Sequence, residues 1–400
     1  MAEDAREARV RERAAEEGPV RRRVVSICTA AAADWHHAPE RIARGLRGAR
    51  ELNSAERRFV ADAVHELVRF RRRLAAAAGS EQADKLLDAW LRRDLALDEN
   101  LATRTSYPDW LVTRLSEQYP DQAPSLLEAM NQRAPLTVRA NRVKCDRDQL
   151  ARRLESEGIP CAPTRLAHDG LVLATRRNVY EMAAFREGWM ELQDEGSQLI
   201  AELCAPPPSG TVIDACAGAG GKTLALAALL QNRGRVVAYD ISGTKLTELR
   251  RRVRRAGLTN VQALAVERGP PGGATPADRL LVDAPCSGTG VIRRNPETKW
   301  RLHAEEIDEL CAKQKAILAA YAPLVRTGGR LIYATCSLLH EENDGIVDAF
   351  LSAHGEFESV PTKEILGKEH ALQIGDGERL RLWPHLHDTD GFFAAVLRRR

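Results

Sequence analysis

The sequence predicts an α/β protein with a mostly parallel sheet in its C-terminal half, preceded by a small α/β segment and an all-helical N-terminal region. Three observations predict it. From about residue 206 onward, short apolar runs alternate with helical stretches, the pattern of a parallel sheet covered on both faces. A glycine-rich turn follows the first of those runs directly. Upstream of Pro135, apolar residues recur only at helical spacing.

Taken in order, residues 1–23 alternate charges without apolar periodicity, which predicts a mobile tail. Residues 24–33 loosely imitate a signal peptide but contain Ser26 and Thr29 and read as an alanine-rich helix. The helical region spans 24–134. Asn53 with Glu56 forms a capping box, and Val60, Val64, Leu67, Val68 and Leu74 then line one face. Leu86, Leu87, Trp90, Leu91 and Leu95 make a second stripe, and Pro108 opens a third helix through Trp110, Leu111 and Leu115. Residues 135–186 read as strand (136–140), helix (146–157) and strand (171–173). The last domain, 187–400, has strands at 211–213, 235–239, 280–282 and 331–333, with helices at 224–230, 244–256 and 305–324. In such a sheet, ligands bind at the carboxyl ends of the strands.

Composition excludes several classes. Hydrophobic residues are 44% and charged residues 29%, as in a globular chain with ample core material. With 59 basic and 56 acidic residues the net charge is only +3, so any nucleic-acid surface must be local. Arg71, Arg72 and Arg73, Arg250, Arg251 and Arg252, and Arg293 with Arg294 are the candidate clusters, although such runs are commonly just solvated faces. Aromatics at 5% argue against a platform that stacks base after base. The cysteines Cys28, Cys145, Cys161, Cys204, Cys216, Cys286, Cys311 and Cys336 are widely spaced, with no zinc or thioredoxin-type pair. The sequence therefore predicts no metal, a reducing cytoplasmic compartment, no membrane span and a monomer.

Residues 214–223 read Asp-Ala-Cys-Ala-Gly-Ala-Gly-Gly-Lys-Thr, where the first strand of the sheet turns into its helix. A phosphate loop would need glycine at Cys216, and a dinucleotide fingerprint starting at Gly218 would need one at Thr223. What remains is an adenosylmethionine site, with Asp214 facing the ligand's ammonium. Asp240, twenty residues after Gly220 and at the end of the second strand, can accept hydrogen bonds from both ribose hydroxyls. A glycine turn plus an acid would also suit NAD.

Two later turns are more specific. Residues 283–290 read Asp-Ala-Pro-Cys-Ser-Gly-Thr-Gly, and residues 334–337 read Ala-Thr-Cys-Ser. Cys286 and Cys336 thus both fall at strand ends on the ligand side. One small cysteine in a tight turn is ordinary packing; two, each followed by serine, call for chemistry. Methylation of cytosine at carbon 5 needs it: thiolate addition at carbon 6 makes carbon 5 nucleophilic, and the thiol must later be eliminated. Asp283 can hold the N3/N4 edge of the base.

In these motifs the chain resembles the Nop/Sun family of RNA cytosine-5 methyltransferases. Further matches are Gln193, Asp194, Ser197, Gln198, Asn295, Pro296, Lys299, Trp300, Glu341, Glu342, Asn343, Asp390, Gly391, Phe392 and Phe393. The resemblance implies a Rossmann-like class I methyltransferase domain with a mostly parallel seven-stranded sheet, an RRM-like small subdomain and a NusB-like helical domain that docks RNA. It implies Cys336 as nucleophile and Cys286 as the group assisting release, with Asp283 beside them. S-adenosylmethionine would contact Cys216, Ala217, Gly218, Ala219, Gly220, Gly221, Lys222, Asp240, Glu267 and Asp283. The expected substrate is ribosomal RNA of the small subunit, with transfer RNA as the alternative. The chain departs from the family pattern in two places. Gly218 and Ala219 replace Ala-Pro, and Glu267 replaces an aspartate, followed by Gly-Pro-Pro-Gly-Gly at 269–273. Two other readings compete: an NAD-dependent oxidoreductase, which leaves both cysteines idle, and a catalytically silent RNA-binding protein, against which intact Asp283, Cys286 and Cys336 stand.

Overall fold

A computed structural model describes residues 2–49, 51–93, 99–175 and 178–400. Leu95 of the second stripe lies outside the described residues. The chain divides into two units: residues up to Arg133 together with Ile292–Ala304, and Ala134–Val291 together with Glu305–Arg400.

The first unit is helical and begins earlier than the charge pattern predicts. Helices Ala2–Ala15 and Pro19–Ala32 occupy the expected mobile tail, with Val10, Ala14 and Val20 buried. Each early turn contributes only one small apolar residue, so no stripe shows. Arginines add polar contacts: Arg11 Nη2 donates to Trp90 O (2.8 Å), and Arg13 pairs with Glu56 at 2.5 Å. The capping box forms at Ser54–Arg69: Asn53 Oδ1 accepts from Glu56 N, and Glu56 Oε2 accepts from Asn53 N.

Residues 292–304, expected in the sheet domain, complete this unit's core instead. Lys299 is 1% exposed; its Nζ donates to Arg69 O (2.9 Å), Ser106 O (3.1 Å) and Asn131 Oδ1 (2.5 Å) and lies 3.7 Å from the Tyr107 ring centre. Trp300 Nε1 donates to Val68 O (2.7 Å). Three oxygens accept from the nitrogen, as a buried amine requires, while burial and the nearby Arg69 charge push its ammonium well below the ordinary lysine range. The first arginine cluster is used internally too. Arg71 pairs with Glu81 and lies over Trp35, while Arg72 pairs with Asp109 and donates to Tyr107 O. Arg293 is buried.

The second unit opens with an antiparallel four-stranded sheet in the order Cys161–Pro163, Gly170–Leu173, Thr137–Ala140, Met190–Leu192. Helix Arg147–Ser156 covers it through Leu150 and Leu154. Met190–Leu192 carries this subdomain past residue 186. A three-residue strand with a glutamate at its centre leaves no apolar signal.

The larger sheet has eight strands: β1 (Thr211–Asp214), β2 (Arg235–Asp240), β3 (Val261–Ala265), β4 (Ala277–Asp283), β5 (Val325–Thr335), β6 (Phe357–Val360), β7 (Leu380–Leu382) and β8 (Phe392–Arg399). Its order is β6-β8-β5-β4-β1-β2-β3, with the short β7 added on β8. The run from β3 to β5 is parallel, and β8 pairs antiparallel with β5, β6 and β7. This is the expected Rossmann-like sheet with one additional short strand. Side chains alternate between two apolar layers: Val212, Leu281 and Ile332 face one, and Ile213, Leu280, Val282 and Tyr333 the other. Strand order reverses between β1 and β4, which opens a crevice at their carboxyl ends.

Candidate active site

The glycine turn stands at that crevice. It runs from the end of β1 to helix Gly221–Leu229. Gly220 has φ +89°, and a Cβ there would meet Leu249 Cδ1 at 2.1 Å, so the turn needs glycine. Around Gly218 and Gly221 nothing lies within 4 Å of a Cβ, leaving open space over the backbone. Asp240 fixes the turn from the end of β2: its Oδ2 accepts from Gly218 N and its Oδ1 from Ser242 N, both at 2.7 Å. Each oxygen keeps a further lone pair. Asp214 is 1% exposed; its Oδ2 accepts from Thr223 Oγ1 (2.7 Å) and its Oδ1 has no hydrogen-bond partner. Burial pushes its carboxyl up to about 7, against the Thr223 bond and with the added effect of the Asp283 charge.

The other predicted turn residues have plainer surroundings. Ala217 N donates to Tyr239 O (2.8 Å), and Ala219 O accepts from Arg252 Nη1 (2.8 Å). Burial pushes the Cys216 thiol up to about 12, so it stays neutral and packs. Glu267 is exposed, one residue beyond Val266, whose amide donates to Asp240 O (3.1 Å). Arg252 therefore leaves the second arginine cluster: its side chain is turned inward.

The two cysteine turns meet. Cys286 Sγ and Cys336 Sγ are 3.3 Å apart. Backbone bonds lock the turns: Ala284 N donates to Ala334 O, Gly290 N to Cys336 O and Gly391 N to Gly290 O, at 2.8–2.9 Å. A Cβ at Gly290 would meet Gly391 O at 2.2 Å, so this approach requires glycine. Beneath the thiols lies a buried polar cluster. Ser287, Thr289 and Ser337 share their hydroxyls at 3.1–3.3 Å. Glu342, fully buried, accepts from Ser287 N (2.8 Å), Gln314 Nε2 (2.9 Å) and Ser337 Oγ (2.5 Å). Thus one carboxylate binds the residue after each cysteine. Asn343 adds a link, accepting from Thr335 Oγ1 and donating to Ser337 O. Sequence reading noted Glu342 and Asn343 only as matching residues; an acid five residues past Ser337 was the available signal.

Lys222 joins the two halves of the site. Its Nζ donates to Asp283 Oδ2 (2.7 Å) and lies 5.3 Å from the Phe392 ring centre. Burial works against its charge, but the attraction and hydrogen bond of Asp283 outweigh it and raise the ammonium above its ordinary value; Cys336 adds in the same direction. Cys286 is held well above the usual thiol range by its hydrogen bond with Cys336, by burial, by the Cys336 charge and by Glu342. A cation therefore bears on Cys336, and an anion on Cys286.

Residues 201–398 match the family model described as 16S rRNA methyltransferase RsmB/F, and residues 107–180 match the ferredoxin-like domain of RsmF/B-like methyltransferases. Ribosomal RNA small subunit methyltransferase B of Proteus mirabilis is 34% identical over 304 residues, covering 76% of this chain and 68% of that protein. The chain belongs to the RsmB/F family of RNA methyltransferases. Among solved structures, one titled PH0851 shares the fold with a TM-score of 0.79 at 24% identity, over 96% of this chain and 99% of that one. A methyltransferase homolog from Pyrococcus horikoshii gives 0.64 at 26% identity, over 76% of this chain and all of the other. Membership in RsmB/F makes the chain a methyltransferase and removes the oxidoreductase reading. The RsmB/F match contains both cysteine turns and the glycine turn. Among the described residues no helix is long and apolar enough to cross a membrane.

Proposed function

We propose that this enzyme methylates carbon 5 of a cytosine in small-subunit ribosomal RNA, with Cys336 adding to carbon 6 of the base. The observation that carries the reading is the pair of thiols 3.3 Å apart, brought together at the ends of β4 and β5. A thiolate is the form of cysteine that attacks. Cys286 keeps its proton beside it.

The target base must leave its stack, at a cost of a few kcal/mol. Cys336 Sγ then bonds to carbon 6, and the electron pair moves into the ring, where the Lys222 ammonium offsets the developing negative charge while the Asp283 carboxylate accepts from the N4 amine of the base. Carbon 5 becomes nucleophilic. S-adenosylmethionine, when bound, supplies an electrophilic methyl group on its sulfonium. After transfer the carbon 5 proton passes to a solvent water, its electron pair restores the carbon 5–carbon 6 double bond, the carbon 6–sulfur bond breaks with its electron pair returning to Cys336, and Cys286 hydrogen-bonds the departing sulfur.

Several features of the glycine turn fit that cofactor. The unpartnered, buried Asp214 Oδ1 suits an ammonium, the fixed Asp240 carboxylate suits ribose hydroxyls, and the open space over Gly218 and Gly221 admits a ligand to the backbone. Cys216, Ala217, Ala219, Gly220 and Lys222 complete the cradle, with Glu267 at its rim. Ribosomal RNA as substrate is supported by the name of the Proteus mirabilis relative. The helical unit, NusB-like by resemblance, is proposed to grip that RNA.

The test separates the thiols. Cys336→Ala should lose essentially all turnover and form no adduct. Cys286→Ala should transfer the methyl group and then stall, leaving RNA attached through Cys336 as a slow, nuclease-sensitive band on a denaturing gel. The same band from Cys336→Ala, with none from Cys286→Ala, would reverse the assignment. Bisulfite sequencing of RNA from a deletion strain identifies the nucleotide.

A further inference from the structure

We propose that Arg252 and Glu191 are positioning residues for the cofactor turn, through which the small four-stranded sheet sets the affinity for adenosylmethionine. The proposal rests on the reading that the cofactor lies on that turn.

Arg252 projects from helix Gly243–Ala256 with its side chain 15% exposed. Its guanidinium serves two masters. Nη1 donates to Ala219 O at 2.8 Å, while Nη2 (2.9 Å) and Nε (3.3 Å) donate to Glu191 Oε2. A planar fork presents donors on two separate edges and reaches both at once, whereas a lysine concentrates its donors on the single nitrogen at the end of a shorter side chain. Ala219 sits between Gly218 (φ +55°) and Gly220 (φ +89°), two residues without a Cβ of their own. The turn is therefore held from one side by Asp240 on Gly218 N and from the other by Arg252 on Ala219 O.

Glu191 fixes Arg252. It is the central residue of Met190–Leu192, is 2% exposed, and its Oε1 accepts from Arg255. The strand is seated firmly against the helix: Asn141 Nδ2 donates to both Gly188 O and Ala256 O at 2.8 Å, and a Cβ at Gly188 would meet Arg255 O at 2.0 Å. A shift of Glu191 is thus passed to Ala219 through its pair with Arg252.

A purely structural role would predict that either arginine matters equally, since both pair with Glu191. Only Arg252 touches the turn. Arg255 instead stacks over the Phe185 ring, 3.7 Å from its centre. The full-length chain is therefore titrated with S-adenosylmethionine by calorimetry as wild type, Arg252→Lys and Arg255→Met. Arg252→Lys keeps a charge beside Glu191, so the fold survives, but loses the bond to Ala219 O. It should weaken binding about tenfold, as expected for one charge-assisted hydrogen bond, and raise KM for adenosylmethionine but not for RNA. Arg255→Met should change affinity less than about twofold even where its melting temperature falls further. Wild-type affinity in Arg252→Lys, or equal losses in both variants, would overturn the proposal. A wild-type chain that does not bind adenosylmethionine would instead overturn the cofactor reading beneath it.

Discussion

Glu342 is the residue on which both cysteine turns hang, and replacing it has a calculable cost. In Glu342→Gln the amide oxygen can keep Ser287 N and Gln314 Nε2, and the Ser337 hydroxyl can rotate to accept from the new NH2. All three bonds survive but lose their charged acceptor. Hydrogen bonds to charged groups contribute about 1 kcal/mol more than neutral ones, so three of them amount to about 3 kcal/mol. For a unit of this size each kcal/mol shifts the melting temperature by about 2–4 °C, giving a fall of about 6–12 °C. Removal of the charge has a second effect, on chemistry. Glu342 helps hold the Cys286 thiol above its ordinary range, so without the carboxylate Cys286 should ionise at lower pH. Thermal unfolding reads the first effect, and the pH dependence of Cys286 alkylation, followed by peptide mass spectrometry, reads the second. A melting temperature within 2 °C of wild type together with an unmoved alkylation profile would refute the placement of Glu342 beneath the thiols.

Two further outcomes follow from the glycine turn. Asp240→Ala removes the acceptor of Gly218 N and Ser242 N as well as the expected ribose contacts, so calorimetric affinity for adenosylmethionine should fall by at least about tenfold; undiminished affinity would place the ribose elsewhere. Asp214 has a folded value raised from 3.8 to about 7. A carboxyl raised by folding favours the native state while protonated, so its stabilising effect is complete below about pH 4 and is lost as pH rises to 7. Asp214→Asn removes that loss: its melting temperature relative to wild type should climb between about pH 4 and pH 7 and level off above, and a flat or falling difference across that range would count against a buried, ionising Asp214.

What could be read from the chain depended on whether a residue announces its surroundings. Strands β1, β2, β4 and β5 each contain a short apolar run because both faces of the sheet are covered there, and the glycine and cysteine turns stand at their ends. Helix Ala2–Ala15 stayed hidden because Val10 and Ala14 are its only described apolar contacts, the rest being arginine bonds to carbonyls and carboxylates. Glu191 was illegible for the opposite reason. An isolated acid in Met-Glu-Leu looks solvent-facing until two arginines from a distant helix are brought to it. The arginine run at 250–252 misled similarly: run length says nothing about which member points inward. Lys222 was legible as part of the turn, but its bond to Asp283 depends on the pairing of β1 with β4.

The membership of Ile292–Ala304 in the helical unit has a consequence for synthesis. The ribosome releases the chain in order, and the helices up to Arg133 emerge long before Lys299 and Trp300 exist. At about 5–20 residues per second, the interval is roughly ten to thirty seconds. Throughout it, the carbonyls of Val68, Arg69 and Ser106 and the face of Tyr107 wait without the side chains that later satisfy them. The N-terminal helices are thus a nascent intermediate with an open seat, closed only when a segment made after the Cys286 turn arrives, and holdase chaperones should engage the chain during that window.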